Sequence, residues 1–204
     1  MSDVDMSEVE LQTLFRASVA FVRANLKCLL LKLTHPKNFT YSHKSRVYPR
    51  VEITLRKGGV CTLGSNLKLD SDSQITTFGG KLNIGENVGI GKRNIIGCQE
   101  SVEIGEGSTL GPNVLIYDHD HKFEYGTGVK QKEYKTSPVK IGKNVWIGAN
   151  NVVLRGTNIG DNCVIAAGGV LKGDYPANSI IIQKKETTMI SIQDRGIEHM
   201  GVEK

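Results

Sequence analysis

Aromatic residues are scarce in this sequence: 6% of its 204 residues are Phe, Trp or Tyr, and Trp occurs once. Such a low aromatic content is below that of an ordinary globular protein. Proline is also scarce, with 5 residues, whereas glycine is abundant, with 23. Because glycine reaches backbone angles that other residues avoid, this balance predicts many turns around an aliphatic core.

Cysteine is sparse and scattered along the chain. The four residues show neither the CxxC pattern nor the spacing of a metal site; they are Cys28, Cys61, Cys98 and Cys163. The first residues lack the basic start, apolar run and small-residue cleavage site of a secretory signal. Together these features predict a cytoplasmic protein whose thiols stay reduced.

Charge excludes some partners and leaves others open. The formal net charge of +5 favours an anionic partner, such as a phosphate-bearing cofactor, an acidic glycan or an anionic membrane surface. The sequence contains no GxxxxGK phosphate loop, and its lysines lack interleaved aromatic residues. We therefore expect no nucleic-acid partner.

Residues 5–33 carry the pattern of one helix that ends before Pro36. Ser7 and Glu10 form a candidate capping box, and a stripe of residues recurs at helical spacing: Leu11, Leu14, Phe15, Ser18, Val22, Leu26, Leu29 and Leu33. Basic residues interrupt the apolar ones, so the segment is too polar to span a bilayer. We expect the helix to dock on its own domain or on a neighbouring subunit, and peripheral contact with a membrane is the alternative.

An internal repeat dominates the rest of the chain, because an aliphatic residue recurs every six positions. Residues two positions earlier are mostly apolar or small, and residues two apart on a strand share one face. Short strands and turns are thus predicted to stack around an apolar axis. Fifteen positions follow the register: Leu63, Leu69, Ile75, Ile84, Ile90, Ile96, Ile104, Leu110, Ile116, Ile141, Ile147, Val153, Ile159, Ile165 and Leu171.

The repeat resembles that of the hexapeptide-repeat acyltransferases. Residues 140–179, KIGKNVWIGANNVVLRGTNIGDNCVIAAGGVLKGDYPANS, are similar to the shared core of the galactoside, maltose and capsular-polysaccharide O-acetyltransferases. In that family three units form one turn of a three-sided prism. The resemblance implies an all-β fold, a left-handed parallel β-helix of about five turns, with an N-terminal helix and one long loop.

The resemblance also sets the expected domain limits and assembly. We expect a helical region over residues 1–38, the β-helix over 47–183 and a tail over 184–204. Members of the family are homotrimers with sites between subunits, and they transfer acetyl from acetyl-CoA to a hydroxyl of a sugar or polysaccharide. No metal is expected.

Three interruptions of the register predict where the site lies. The step between aliphatic positions grows to nine residues after Ile75, eight after Ile96 and twenty-five after Ile116. Each interruption follows three units, so all three insertions should emerge at one edge of the prism. Only the last, residues 117–138, is long enough to form an arm, and such long loops are usually functional or disordered.

The long insertion opens with two histidines, His119 and His121, separated by one residue. By itself this pattern is compatible with a metal pair, a solvated loop or a general base with an orienting neighbour. The resemblance implies His121 as the general base, since a histidine at the start of this loop has that role in the family. An imidazole with a pKa near 6.5 is suited to accepting a hydroxyl proton near neutral pH.

The family's cofactor site falls on identifiable residues. Trp146 is expected to point outward because both of its neighbours point inward, and the resemblance places it beside acetyl-CoA; a subunit-interface anchor is the alternative. Ala149 and Ala167 lie one full turn apart and match the residues that border the pantetheine arm. Backbone N–H groups near Gly148 and Ala149 are candidates for stabilising the oxyanion.

Two parts of the family pattern are replaced in this sequence. The segments that contact the CoA phosphates in relatives are absent, and the lysines in their place are candidates for the same contacts: Lys172, Lys184 and Lys185. An asparagine of the acceptor site falls at Gly91, which leaves Asn94, Gln99 and Asp118 as candidate substrate-binding residues.

Three other functions remain open at this level. The acceptor is a drug hydroxyl in the antibiotic acetyltransferases that share this prism. A non-enzymatic scaffold in glycan synthesis has no use for the loop histidine and Trp146. A zinc lyase needs a third ligand besides His119 and His121, and no histidine occurs between Lys122 and Glu198.

Overall fold

The computed structural model of the chain describes residues 6–42, 44–184 and 186. Within these ranges a single helix, α1 (Met6–Thr34), precedes the strands. The strands are β1 (Phe39–Tyr41), β2 (Arg46–Val47), β3 (Glu52–Arg56), β4 (Val60–Leu63), β5 (Lys68–Leu69), β6 (Gln74–Phe78), β7 (Lys81–Ile84), β8 (Gly89–Ile90), β9 (Ile95–Cys98), β10 (Ser101–Ile104), β11 (Thr109–Leu110), β12 (Leu115–Tyr117), β13 (His119–Glu124), β14 (Gly128–Thr136), β15 (Val139–Ile141), β16 (Trp146–Ile147), β17 (Val152–Val153), β18 (Asn158–Ile159), β19 (Val164–Ile165), β20 (Val170–Leu171), β21 (Asp174–Tyr175) and β22 (Ile180–Ile181).

The strands build a three-sided prism of parallel sheets. Sheet A has the order β1-β4-β7-β10-β15-β18-β21, sheet B the order β2-β5-β8-β11-β16-β19-β22, and sheet C the order β3-β6-β9-β12-β17-β20. The chain passes from sheet A to B to C and starts the next turn on sheet A. This is the stacked solenoid that the six-residue repeat predicts.

The aliphatic repeat forms the core of the prism. All fifteen predicted positions are buried, five on each sheet, and each lies beside its counterpart in the next turn. Ile84, for example, pairs with Leu63 on one side and Ile104 on the other. Burying one such side chain contributes roughly 1.5–3 kcal/mol to folding, and the repetition multiplies this contribution.

The prism is longer than the five turns that were expected. An additional first turn consists of β1, β2 and β3, and two further strands, β21 and β22, follow the last predicted position. The β-helix therefore begins at Phe39, ahead of the expected boundary at residue 47. The aliphatic repeat does not extend to the first turn, because the sheet A position there is the aromatic Tyr41. In addition, ten residues and not six separate Ile53 from Leu63.

All three interruptions of the repeat lie at one edge of the prism, as predicted. Ile75, Ile96 and Ile116 all belong to sheet C, and each insertion leads into the next strand of sheet A. The two short insertions are simple turns. The third forms an arm, which is a two-stranded antiparallel hairpin of β13 and β14.

Asparagine holds the turns between sheets A and B. Asn66, Asn87, Asn144, Asn162 and Asn178 occupy this turn in five coils with φ between 52° and 60°, a left-handed conformation that asparagine tolerates better than most residues. In the coil between Asn87 and Asn144 the same position is Gly107, also with positive φ. Their side chains bond along the stack, as in the contact of 2.8 Å from Asn66 Nδ2 to Asn87 Oδ1. Two short runs of bonded amides, separated at Gly107, therefore hold the turn that carries the chain from sheet A to sheet B.

Helix α1 closes the N-terminal end of the prism. It contacts β1 and β2, and Lys27 Nζ donates to the carbonyl of Val51, just before β3. These are the edge strands of the three sheets, so the helix lies across the open end. Its contact face is made of small residues that are at most 3% exposed: Ala20, Ala24 and Cys28.

The docking face of α1 differs from the expected one. The predicted stripe of large apolar residues points away from the prism: Leu11, Leu14, Phe15, Val22, Leu26, Leu29 and Leu33 are between 49% and 69% exposed. The small residues Ala20, Ala24 and Cys28 face inward because the helix backbone lies close to the edge strands. Over the described residues, no helix has the length and apolar content needed to cross a membrane.

The four cysteines are free and buried. Burial raises the pKa of the Cys28 thiol to about 11 and that of the Cys61 thiol to about 12. Both thiols are therefore protonated near neutral pH and pack as small apolar groups where α1 meets the prism.

Candidate active site

The arm is anchored to the prism at its first residues. Asp118 is completely buried, and its carboxylate accepts hydrogen bonds from the backbone N–H groups of Gln99, Glu100 and Ser101 at 2.7 to 3.0 Å. Those residues form the turn at the same edge in the preceding coil. The arm therefore begins at a fixed point.

Asp118 is ionised in this environment. Burial is the largest single influence and favours the neutral acid, but hydrogen bonds from His119 and from the backbone of Gln99 and Glu100 outweigh it and hold the pKa of Asp118 below its usual value. A buried carboxylate with this many donors is well suited to orienting a histidine.

His119 is the histidine that this carboxylate orients. Its Nδ1 lies 2.9 Å from Asp118 Oδ1 and its side chain is 12% exposed. The ring packs edge-on against Tyr117 and Tyr134, with ring centroids 5.6 and 5.4 Å away. When Nδ1–H is donated to the carboxylate, Nε2 is left as the proton-accepting nitrogen.

Gly97 makes room for these rings. A Cβ atom at this position would lie 2.8 Å from Cδ1 of Tyr117 and 3.3 Å from Cε1 of His119. Gly97 pairs with Tyr117 in the neighbouring strand, and its φ is not positive. Glycine is therefore required here by the close approach of the Tyr117 ring and not by the backbone conformation of residue 97.

His121 lies two residues further along the arm and is exposed. Its ring packs on Tyr134 at a centroid distance of 4.7 Å, and a bulge in the hairpin follows it directly. His121 and His119 thus share one aromatic neighbour, but only His119 is bonded to the buried carboxylate. Among the described residues, no group of three His, Cys, Asp or Glu side chains is arranged to hold a metal ion.

Arg155 contacts the arm from the next coil, and the sequence did not predict this contact. Its Nε donates to Asp120 Oδ2, and its side chain is 16% exposed. It lies in the turn that follows β17, at the insertion edge and one coil beyond the arm. Its only sequence signal is a cation at this edge, which does not distinguish it from other turn residues.

The expected cofactor residues lie on and beside sheet B. Trp146 points outward with 57% of its surface exposed, which confirms the orientation predicted from alternation. Ala149 and Ala167 occupy equivalent positions in successive coils, and the N–H of Gly168, next to Ala167, donates to Ala149 O at 2.8 Å. The N–H of Gly148 is donated to Ile165 O at 2.8 Å, so it is not available to an oxyanion, contrary to expectation.

The candidate phosphate-binding lysines are separated in the structure. Lys172 is exposed in the turn after β20, at the same edge as the arm, whereas the exposed Lys184 follows β22 on sheet B. Lys185 lies outside the described residues. One chain therefore does not gather these lysines into a single patch.

Two of the expected acceptor residues have structural roles instead. Asn94 is fully buried, donates to the carbonyls of Gly91 and Gly111 and accepts from the N–H of Val114. Asp118 is also fully buried and binds backbone and His119. Neither side chain can contact an acceptor. Gln99 lies in the turn that binds Asp118, and its side chain is half-buried.

One chain does not bring His119 and Trp146 together. His119 lies at the edge between sheets C and A, whereas Trp146 projects from sheet B. A site that uses both residues has to be completed by the Trp146 face of a second prism.

The fold and this edge define a class of protein. The chain is a left-handed parallel β-helix of hexapeptide repeats that carries a carboxylate-oriented histidine at the base of a hairpin arm. An ionised carboxylate on Nδ1 of a histidine, with Nε2 as acceptor, is an arrangement that can remove a proton from a hydroxyl.

Comparison with known proteins identifies the family. Residues 81–118 and 138–172 match the model of the hexapeptide repeat of succinyl-transferase. The chain is 31% identical to the galactoside O-acetyltransferase of Escherichia coli strain K12 over 77% of this chain and 75% of that protein. The chain therefore belongs to the hexapeptide-repeat acetyltransferase family.

Other relatives are also named as acetyltransferases. A putative lipopolysaccharide-biosynthesis O-acetyltransferase of Escherichia coli strain K12 is 31% identical over 62% of this chain and 69% of its own length. A probable acetyltransferase of Mycobacterium tuberculosis is 33% identical over 59% of this chain, but the match spans 40% of that longer protein.

Solved structures agree with the fold. An N-acyltransferase from Bacillus cereus, in complex with dTDP-4-amino-4,6-dideoxyglucose and coenzyme A, has a TM-score of 0.59 at 15% identity, over 82% of this chain and 92% of that one. The same enzyme with dTDP and 3-hydroxybutyryl-CoA has a TM-score of 0.55 at 17% identity, over 80% of this chain and 86% of that one. At this identity the likeness establishes the fold alone.

Proposed function

We propose that this chain is an acetyl-CoA-dependent O-acetyltransferase that acts on a hydroxyl group of a sugar or polysaccharide. The observation that carries the proposal is the hydrogen bond of 2.9 Å between His119 Nδ1 and the buried carboxylate of Asp118. The names of the galactoside and lipopolysaccharide relatives support the acceptor class. The coenzyme A complexes of the Bacillus cereus enzyme support the donor.

His119 is the general base in this proposal. Its Nε2 accepts the proton of the acceptor hydroxyl while the hydroxyl oxygen attacks the thioester carbon of acetyl-CoA. The tetrahedral intermediate collapses with cleavage of the carbon–sulfur bond, and the imidazolium returns the proton to the leaving thiolate. The products are the O-acetyl ester and CoA, and no covalent acyl-enzyme is formed.

The choice of His119 departs from the sequence-based preference for His121. A base needs a fixed tautomer and a fixed orientation, and both come from a carboxylate that is itself held by several donors. His121 is exposed and packs on Tyr134. Its assignment as the base stays a prediction, which separate substitution of the two histidines decides.

The donor is expected to bind along the face that carries Trp146, Ala149 and Ala167. Small side chains at the two alanines let the extended pantetheine approach the backbone, and Trp146 offers an exposed ring beside it. Because this face is remote from His119 within one chain, the proposal requires a homotrimer in which neighbouring prisms form each site together.

The proposal is tested by thiol release from acetyl-CoA across a panel of purified sugars and glycans. With an active acceptor, His119→Asn should lower turnover by about 10²–10⁴-fold, the usual contribution of a general base. The asparagine amide can still donate to Asp118, but it has no proton-accepting nitrogen where Nε2 of the imidazole lies. Acetyl-CoA binding should be nearly unchanged.

His121→Ala is the matched control in the same arm and should have a much smaller effect. Near-normal turnover in a folded His119→Asn protein, together with a large loss in His121→Ala, would return the base to His121. If the wild type transfers acetyl to no hydroxyl in a panel that includes xenobiotic alcohols, the enzymatic proposal fails and a scaffold role replaces it.

A further inference from the structure

Helix α1 presents a continuous apolar surface to solvent. Opposite the small residues that face the prism, the exposed fractions are 69% for Phe15, 56% for Val22, 59% for Leu26, 63% for Leu30 and 68% for Leu33. An apolar surface of this extent is unusual on an isolated domain and indicates a binding surface. We refer to the outward side of α1 as the helix face.

The helix face lies in a strongly basic part of the chain. Residues 6–58, which comprise α1 and the first turn of the prism, contain 10 Lys or Arg and 3 Asp or Glu, a net charge of +7, whereas the whole chain carries +5. The positive charge of the protein is therefore concentrated at the end that α1 closes, and the remaining residues together are slightly acidic.

Cations flank the helix face. Arg16 and Arg23 project from the side of α1 and line a cleft of about 540 Å³ together with Lys68 and Lys92 of the prism and the ring of Tyr48. Lys68 Nζ forms an ion pair with Asp70 Oδ2 at 3.2 Å. Asp70 is the acidic residue that lines this cleft. The cleft thus places several cations beside the apolar surface, at the level that phosphate groups of lipids occupy next to an interfacial helix.

A second copy of the chain is a poor occupant of this face. Two prisms stacked end to end would bring two surfaces of the same strong positive charge together. Prisms packed side by side would leave the ends uncovered. An anionic bilayer, in contrast, complements both the apolar residues and the cations.

From these observations we infer that the helix face docks this protein on the surface of an anionic membrane. Phe15, Leu26 and their apolar neighbours insert at the boundary of headgroups and acyl chains, while Arg16 and Arg23 bind lipid phosphates. The helix lies on the bilayer and does not cross it, and the prism axis points away from the membrane.

The test is flotation of the full-length chain with vesicles of phosphatidylcholine alone or mixed with phosphatidylglycerol. The wild type should float with the mixed vesicles, weakly with the neutral ones, and less as salt is raised. Arg16→Glu/Arg23→Glu should weaken binding on the order of tenfold or more. Lys81→Glu/Lys140→Glu makes the same charge change on exposed positions of sheet A and should bind like the wild type.

The apolar contribution has its own matched pair. Phe15→Gln/Leu26→Gln should lose most vesicle binding, whereas Phe123→Gln, at an arm residue that is also 69% exposed, should not. The inference is wrong if the wild type fails to float with the anionic vesicles, or if the arginine variant and its lysine control bind equally. A change of sedimentation coefficient in Phe15→Gln/Leu26→Gln would also overturn it, by showing that another copy covers the face. None of these outcomes depends on acetyl transfer.

Discussion

Asp118 shows how one buried side chain serves both the fold and the site. It binds the turn of the preceding coil through three backbone N–H groups and binds His119 through Oδ1. Asp118→Asn replaces one acceptor oxygen with a donor amide. We expect the free energy of unfolding to fall by about 1–3 kcal/mol and turnover to fall at least on the order of 10²-fold, because the amide favours the wrong tautomer of His119.

The pH dependence of the Asp118 contribution has a definite sign. Because its pKa is lower in the folded chain than in the unfolded one, ionised Asp118 stabilises the fold fully above roughly pH 5. The contribution is lost as pH falls through the folded pKa. Urea unfolding between neutral and acid pH should show this loss in the wild type and not in Asp118→Asn. Asp120→Asn, at the exposed partner of Arg155, is the control, and an equal effect there would contradict the assignment.

The residues of the site were only partly predictable from sequence. Spacing of the repeat correctly placed both histidines at the edge where the insertions emerge, and alternation gave the direction of Trp146 correctly. The distinction between His119 and His121 depends on Asp118 meeting the turn at Gln99, nineteen residues earlier in the chain. No local pattern encodes that contact, and the burial of Asn94 follows from the same kind of packing between coils.

At the scale of elements, α1 is a lid whose contact face depends on small side chains. Ala24 is 3% exposed in the core cluster that α1 shares with the first turn of the prism. Ala24→Leu adds three carbon atoms at that point, and we expect it to destabilise the fold by about 1–3 kcal/mol through overpacking. The urea midpoint measures this effect.

Val22→Leu is the matched control for Ala24→Leu on the opposite side of the same helix. Val22 is 56% exposed, so the larger side chain meets no neighbour and stability should change by less than about 0.5 kcal/mol. Equal midpoints for the two variants would mean that α1 does not pack on the prism through Ala24.

Prediction of the elements succeeded where one physical demand repeats. Each coil has to bury one side chain per sheet, so the fifteen aliphatic positions marked their strands correctly. The helix was predicted from its spacing of large apolar residues, but its orientation was not, because the close approach to the prism selects Ala20, Ala24 and Cys28 for the contact. The first turn lacks the aliphatic signal at Tyr41, and its register was therefore not recognised.

The whole molecule has one polar side and two partly apolar sides. Outward positions of sheet A are polar, as at Asn83, Glu103 and Asn158. Sheet C carries a column of outward apolar residues in register, from Ile95 through Leu115 and Val152 to Val170. Sheet B carries another: Trp146, Val164 and Ile180. Two different apolar faces on one chain are what a closed ring with head-to-tail contacts needs.

We therefore expect a homotrimer in which sheet B of one prism meets sheet C of the next. Val170→Glu and Ile180→Glu, at residues 51% and 73% exposed in the single chain, should each shift sedimentation velocity from trimer to monomer, since each places a charge in the same contact. Asn158→Glu on sheet A should leave the trimer intact. Sedimentation of the wild type as a monomer at working concentration would contradict the expectation.

The helix across the end of the prism also sets where the molecule stops. A stack of coils is a one-dimensional lattice, and every coil offers its backbone N–H and C=O groups as a template for another. At β1, β2 and β3 these backbone groups are covered by α1, which therefore caps this end of the stack and prevents further strand pairing. Coils can be gained or lost in the middle of such a stack without disturbing its capped end. We expect a chain without α1 to expose the edges of all three sheets, which are sites for pairing with strands of another chain.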